Sequence, residues 1–158
     1  ILKKNTIQFK NIEVFNFGLG AKNGSFKLYL SDDKENYGGV SFYPEGEGNM
    51  SEPYTECVVK NVNDVIQDLG ITSVDLIKID TEGAEYDILT SFNHEFLKNT
   101  SWITGELHGN RDFELLNYLN DLDFSISLNK NIDNRLFMFN AGKKEVISKL
   151  SRKEIRIL

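Results

Sequence analysis

The chain of 158 residues contains a single cysteine, Cys57, and only two prolines. One cysteine excludes a disulfide framework, so the sequence predicts a reducing, cytoplasmic location. Cys57 lies in a predicted strand without a neighbouring histidine in the sequence, which favours a structural role over a nucleophilic one. No apolar run approaches the roughly 18 residues that a membrane span needs, and no signal peptide is visible. We therefore expect no membrane association.

Positive charge is also scarce. Lysine and arginine number 18 against 24 acidic residues, which gives a net charge of −6 and a pI near 5.0. An acidic chain is a poor general partner for nucleic acid or for an anionic membrane. Basic residues do gather near the C-terminus, where a solvated helix face explains them. The composition thus favours a small molecule as the partner.

What is present suits one α/β domain. The 40% of apolar residues can build a core, and the length predicts a single domain over 1–158, with a C-terminal helix and tail over 143–158. Strand and helix patterns alternate between 54 and 128, which predicts a mostly parallel sheet with helical crossovers. The short turn before the strand at 136–139 predicts that this strand pairs antiparallel with its predecessor at 124–128.

The N-terminal part predicts strands at 11–17 and 26–30. Gly18 and Gly20 end the first strand, and the Asn23-Gly24 pair is a strong hairpin signal. The Gly-x-Gly pattern is not a cofactor fingerprint, because no helix follows it. Residues 31–39 and 44–53 are predicted loops. The second of these is interpreted either as a mobile loop over the ligand edge or as a plain surface excursion.

Helices are predicted from spacing and capping signals. Asn61 can cap a helix that Gly70 ends, and a further helix is expected at about 83–92. Apolar residues at helical spacing give the next helix its core face. These residues are Phe113, Leu115, Leu116 and Leu119.

The stretch 74–89 is the most informative part of the chain. An apolar run ends on Asp80, after which Glu82 and Gly83 lead into a helical pattern. Such a run, bounded by a turn, is typical of a buried parallel strand that leads into a helix. Ligands in open α/β sheets bind beyond the carboxyl ends of the strands, which is where Asp80 would lie.

This stretch resembles the signature of the FkbM-type methyltransferases. The matching residues are Ile77, Lys78, Ile79, Asp80, Glu82, Gly83, Glu85 and Leu89, and Glu106 and His108 resemble the E-x-H strand that follows in the family. The resemblance covers about 1–140. It implies a Rossmann-like, class I methyltransferase fold with S-adenosylmethionine as the methyl donor. It also implies a small-molecule acceptor, in which a hydroxyl group on a sugar or other secondary metabolite receives the methyl group.

The resemblance also implies roles for individual residues. Asp80, Glu106 and His108 are the candidate catalytic residues, and Asp80, Glu82 and Gly83 are the candidate cofactor-binding residues. Glu106 and His108 lie two residues apart in a strand, so their side chains share a face and could meet Asp80. The alternative for Asp80 is a helix N-cap. The alternative for Glu82 and for Glu85 is a role in stability alone, because the helix dipole favours acidic side chains at a helix N-terminus.

Alignment with the family implies that elements of the fold lie upstream of Ile1. The first two strands and the glycine-rich cofactor turn would precede it. We therefore expect the 158 residues alone to bind S-adenosylmethionine weakly or not at all, and to self-associate through an unpaired strand edge beside 74–79.

Two other functions remain open from the residues. Asp80, Glu106 and His108 could hold a divalent metal in a hydrolytic site, because oxygen and imidazole ligands suit such ions. Alternatively, the chain is a degenerate, noncatalytic module that has lost cofactor binding.

Overall fold

The computed structural model describes residues 1–30, 40–41, 54–108, 111–130 and 137–150. The predicted loops at 31–39 and 44–53 lie outside the described residues, as do residues 151–158 of the predicted tail. The described residues form a mixed α/β structure that begins with a short helix, α1 (Leu2–Thr6), and contains two separate four-stranded sheets.

The first sheet comes from the N-terminal part of the chain. Its strands are β1 (Gly18–Gly20), β2 (Gly24–Leu30), β3 (Val40–Ser41) and β4 (Tyr54–Asn61). Their order across the sheet is β1-β4-β2-β3. Strand β4 pairs parallel with β1 on one side and antiparallel with β2 on the other, so the strand that is last in sequence lies inside the sheet.

The second sheet positions the candidate site. Its strands are β5 (Leu76–Ile79), β6 (Trp102–Leu107), β7 (Phe124–Lys130) and β8 (Phe137–Lys143), in the order β5-β6-β8-β7. β5 and β6 run parallel, and β8 pairs antiparallel with both β6 and β7. The predicted C-terminal antiparallel hairpin is therefore confirmed.

The wider prediction of one mostly parallel sheet is wrong for the described residues. Four of the six strand pairs are antiparallel, and β4 does not join the sheet that contains β5. Alternation of strands with helices indicated crossovers, but it did not identify the partners of each strand. β4 instead pairs with β1 and β2, two strands that precede it in the sequence and each offer it an edge.

Five further helices connect or flank the strands. They are α2 (Val62–Asp68), α3 (Glu85–Ser91), α4 (His94–Lys98), α5 (Asp112–Asp121) and α6 (Lys144–Ile147). Asn61 caps α2 as predicted, and Gly70 takes a left-handed φ of 63° just beyond its end. None of the helices in the described part of the chain is long and apolar enough to cross a membrane.

The predictions for the segment before β2 are wrong. The strand lies at Gly18–Gly20 rather than at 11–17, and no hairpin forms at Asn23-Gly24, because β1 and β2 lie on opposite sides of β4. The side chain of Asn23 instead accepts the backbone N–H of Asn61 at 2.8 Å, and Asn61 Nδ2 donates to Ala21 O at 2.6 Å. These bonds tie the turn to the end of β4.

The main core lies between the second sheet and helices α3 and α5. Leu89, Ile103 and Phe139 are fully buried there. In α5 the buried stripe is Leu115 and Leu119, four residues apart on one helix face. The prediction that Phe113 belongs to this face is wrong: it is 82% exposed, because it lies about 200° around the helix from Leu115.

Candidate functional site

The candidate site lies where β5 and β6 end. Because the two strands run parallel, with Ile79 opposite Gly105, their carboxyl ends reach the same edge of the sheet. Asp80 follows β5 directly, Glu106 is the next residue of β6 after Gly105, and His108 follows that strand. The predicted positions of all three residues therefore fall on one edge, as ligand sites in α/β sheets do.

The turn from β5 into α3 is held by Glu85, whose residue exposure is only 2%. Its carboxylate accepts hydrogen bonds from the backbone N–H groups of Thr81 at 2.8 Å and Gly83 at 3.0 Å, and from Thr81 Oγ1 at 3.1 Å. The turn needs this support, because Glu82 has a φ of 52° and Gly83 a φ of 105°, both left-handed.

Glu85 is thus the residue of the candidate site that sequence reasoning undervalued. A favourable charge at the start of a helix describes its position, but not the direction in which its side chain points. The signal that could have identified it is its place as the last acid of the resemblance signature, together with its position at the first turn of an apolar helix. An acid in that position can reach back to preceding backbone N–H groups.

His108 lies at the centre of the site, with a side chain that is 9% exposed. Its Nδ1 is 3.3 Å from Oε1 of Glu85. Its Nε2 is 3.4 Å from Oε2 of Glu106 and 3.8 Å from Oε2 of Glu82. One buried imidazole therefore lies between carboxylates that come from the β5–α3 turn, from α3 itself and from β6.

Asp80 completes this group, which we call the acidic cluster: Asp80, Glu82, Glu85, Glu106 and His108. Ligand atoms of Asp80, Glu82 and His108 all lie within 4.8 Å of one another. Asp80 does not cap α3, because the N-cap is Ala84 and no side chain makes a capping hydrogen bond there. The alternative interpretation of Asp80 as a helix cap is therefore wrong.

The charge of the acidic cluster is strongly negative. It contains four carboxyl side chains, and the neighbouring lysine is Lys78, whose Nζ lies 3.1 Å from Oδ2 of Asp80. That lysine side chain is 61% exposed, so water screens its charge. Such a cluster can accept a proton, and it can attract a cationic ligand.

A separate groove of about 730 Å³ lies beside α3 and the first sheet. It is lined by aromatic and basic side chains, among them Phe26, Lys27, Tyr86 and Arg111. The guanidinium carbon of Arg111 lies 3.5 Å from the ring centroid of Tyr86. Its lining does not include the acidic cluster, so the groove is a neighbouring feature and not part of that site.

Comparison with known proteins identifies the family of this chain. The model of the methyltransferase FkbM domain matches residues 2–144. Neither the curated proteins nor the solved structures give a significant match. Since the family model covers most of the sequence, the chain belongs to the FkbM methyltransferase domain family.

Proposed function

We propose that the protein transfers a methyl group from S-adenosylmethionine to a hydroxyl group of a small molecule, such as a sugar or other secondary metabolite. The family makes it a methyltransferase domain, and the family implies this methyl donor. The observation that carries the finer proposal is the convergence of Glu106 and His108 with Asp80 at one sheet edge. A hydroxyl acceptor must lose a proton, and these groups can accept one.

The acidic cluster suits the chemistry of the methyl donor. S-adenosylmethionine supplies a methyl group on a positively charged sulfur, and it also carries an ammonium group. Asp80 and Glu82 offer carboxylates to these positive charges, in a position where α/β sheets bind ligands. Gly83 contributes to this binding site through its left-handed backbone conformation, which shapes the turn. Its N–H already donates to Glu85. The Gly-x-Gly pattern at Gly18–Gly20 forms strand β1, so it does not supply the glycine-rich turn that would hold the cofactor.

Within this proposal Glu106 takes the proton from the acceptor hydroxyl as its oxygen is methylated. Its side chain is 28% exposed, so a substrate can reach it, whereas His108 lies deeper. His108 holds the Glu106 carboxylate in place from behind. Asp80, with a side chain that is 35% exposed, orients either the acceptor hydroxyl or the amino acid portion of the donor.

The test is methyl transfer by the protein that carries this domain, with Glu106→Gln and Asp80→Asn compared with wild type. Both substitutions keep side-chain size and remove the charge. We expect each to lower kcat by at least about 100-fold, the usual range for loss of general acid–base catalysis. Glu114→Gln, on the exposed face of α5, is the matched control and should keep full activity.

Circular dichroism of each variant separates lost chemistry from lost folding. Wild-type transfer rates in both Glu106→Gln and Asp80→Asn would remove these residues from the mechanism. Turnover that needs a metal but not S-adenosylmethionine would favour the hydrolytic alternative. A folded protein that binds no methyl donor would favour the noncatalytic module.

A further inference from the structure

The groove beside α3 adjoins the acidic cluster, because the two share the start of that helix. Ala84 and Tyr86 line the groove, whereas the carboxylate of Glu85, between them in sequence, lies against the imidazole of His108. Arg111 also lines the groove and follows His108 by three residues. One end of the groove therefore lies next to the groups to which the proposed function assigns methyl transfer.

The other end of the groove lies about one helix length away. Ser91, the last residue of α3, lines the groove, and its carbonyl oxygen accepts a hydrogen bond from Asn63 Nδ2 at 2.7 Å. Two residues earlier, Asn61 Nδ2 donates to Ala21 O at 2.6 Å. Ala21 and Lys22, which also line the groove, therefore lie towards the C-terminal end of α3. The seven residues of α3 span about 10 Å, so the groove suits an elongated molecule.

The charge of the groove is opposite to that of the acidic cluster. Three of the four charged side chains that line it are basic, although the whole chain has a net charge of −6. Arg111 is already paired with Asp87 at 3.3 Å. Within the described part of the chain, by contrast, neither Lys22 nor Lys27 forms an ion pair with an acidic side chain. These two lysines leave a positive charge that attracts an anionic group.

The uncharged part of the lining suits an aromatic ring better than a sugar. Phe26, which is 45% exposed, and Tyr29 present rings from β2. Thr90 and Ser91 also line the groove, but each hydroxyl donates at 2.7 Å to a backbone carbonyl within α3. The many hydroxyl groups of a sugar would find few partners here, and burying them unpaired is unfavourable. A flat apolar ring packs well against aromatic side chains.

We propose that the groove binds a hydroxylated aromatic acid, which is the methyl acceptor. Its ring packs against Phe26 and Tyr29, its carboxylate lies towards Lys22 and Lys27, and its hydroxyl group lies at the Ala84 end, towards the acidic cluster. A compound with these three parts is para-hydroxycinnamate, whose length is comparable to that of α3. The binding follows from the charge and the lining of the groove alone.

Methylation of the bound acid rests, in addition, on the proposed function. The phenol oxygen loses its proton to Glu106 and forms a bond to the methyl carbon. The bond between that carbon and the sulfur of the donor breaks, and its electron pair stays on the sulfur. The acceptor leaves as the methyl ether of the aromatic acid.

The experiment is a calorimetric titration of the protein that carries this domain, without methyl donor, with three compounds. They are para-hydroxycinnamate, para-hydroxycinnamyl alcohol, which has the same ring without the charge, and glucuronate, which has a charge and hydroxyl groups but no aromatic ring. We expect para-hydroxycinnamate to bind at one site. The alcohol should bind about tenfold more weakly, the effect of losing two exposed ion pairs, and glucuronate should bind more weakly than para-hydroxycinnamate because it lacks the ring.

Two sets of variants assign the charge and the ring contact separately. The double variant with Lys22→Met and Lys27→Met should bind para-hydroxycinnamate about tenfold more weakly and leave the affinity for the alcohol unchanged. The matched control, with Lys98→Met and Lys149→Met, removes two lysine charges outside the groove lining and should change neither affinity. Phe26→Leu should weaken the binding of both compounds by about threefold, through the loss of aromatic packing. Circular dichroism verifies that each variant folds.

Nuclear Overhauser effects from the ring protons of bound para-hydroxycinnamate to the Ala84 methyl group and the Phe26 ring should place it in the groove. Three results would each overturn the proposal: no binding of para-hydroxycinnamate by the folded wild type, equal affinities for the acid and the alcohol, or an unchanged affinity in the double variant of Lys22 and Lys27. Tighter binding of glucuronate would overturn the aromatic class.

The two proposals fail separately, because the titration contains no methyl donor. Loss of para-hydroxycinnamate binding would leave methyl transfer to another hydroxyl acceptor standing. Binding of the acid without its methylation would leave the binding site standing and would contradict its role as the acceptor.

Discussion

The buried carboxylate of Glu85 lies 3.3 Å from Nδ1 of His108, although 23 residues separate the two in the sequence. This contact joins the first turn of α3 to the residue that follows β6. The same carboxylate accepts the backbone N–H groups of the β5–α3 turn. One buried charge thus fixes both the turn that carries Asp80 and Glu82 and the imidazole that they face.

Glu85→Gln should destabilise the protein. The amide keeps the size of the side chain, but it places an N–H₂ donor towards backbone N–H groups that need an acceptor. Leaving buried polar groups unsatisfied costs about 1–3 kcal/mol, and more where the lost partner is charged, so we expect a fall of about 3 kcal/mol in the free energy of unfolding. Urea denaturation followed by circular dichroism measures it.

The matched control for this prediction is Glu13→Gln, the same substitution at an exposed position. It should leave the unfolding midpoint almost unchanged. Equal midpoints for the Glu85 and Glu13 variants would show that the buried carboxylate does not support the turn.

Gly105→Ala should separate the two strands that carry the site. A Cβ at this position would meet the backbone oxygen of Ile79, and it would lie 2.7 Å from Cγ2 of Ile79 and 2.9 Å from a ring carbon of Phe139. Backbone cannot move aside as a flexible side chain can. We expect a loss of about 3 kcal/mol or more in the free energy of unfolding, the upper range for overpacking.

Gly70→Ala is the comparison for Gly105→Ala. Gly70 has a left-handed φ of 63°, and a Cβ there meets nothing within 4 Å. Only backbone strain remains, which costs about 1 kcal/mol. Chemical denaturation of both variants tests the order, and a smaller loss for Gly105→Ala than for Gly70→Ala would contradict the packing described for β5 and β6.

Asn61 has two separable functions, which two substitutions distinguish. Its Oδ1 accepts the N–H groups of Asn63 and Asp64 at the start of α2, while its Nδ2 donates to Ala21 O. Asn61→Ala removes both and should cost about 2 kcal/mol. Asn61→Asp keeps the cap but loses the donor, so its unfolding free energy should lie between those of Asn61→Ala and wild type. An Asp variant as unstable as the Ala variant would assign the whole effect to the bond with Ala21.

The stability of the protein should depend on Tyr118 at alkaline pH. Burial, with a smaller contribution from Tyr86, raises the pKa of Tyr118 above its ordinary value of 10.0. The unfolded chain therefore loses the phenolic proton of Tyr118 at a lower pH than the folded protein does. The contribution of Tyr118 to the free energy of unfolding is complete below about pH 10 and is lost as the pH rises through the folded pKa. Urea denaturation between about pH 8 and 11 should show a shallower alkaline decline for Tyr118→Phe than for wild type. Tyr54→Phe, at an exposed tyrosine, should keep the wild-type decline.

Local signals predicted the parts of the fold that depend on neighbours in sequence. The buried face of α5 at Leu115 and Leu119, the cap at Asn61 and the stop at Gly70 were confirmed. These features depend on side-chain spacing and on hydrogen bonds within a few residues. The Asn23-Gly24 pair was misinterpreted for the opposite reason. A hairpin signal cannot reveal that a distant strand, β4, lies between the two strands that the turn connects.

The sequence alone determined the family, through the acids and glycine that follow β5 and the E-x-H pattern of β6, because a signature is a property of adjacent residues. It also placed Asp80, Glu106 and His108 at strand ends, since alternation and parallel pairing constrain where such ends lie. Only the tertiary structure decided how the strands divide into two sheets and that Glu85 points inward to His108. The physical reason is that both depend on contacts between distant segments, whose free energy is gained only when those segments pack together.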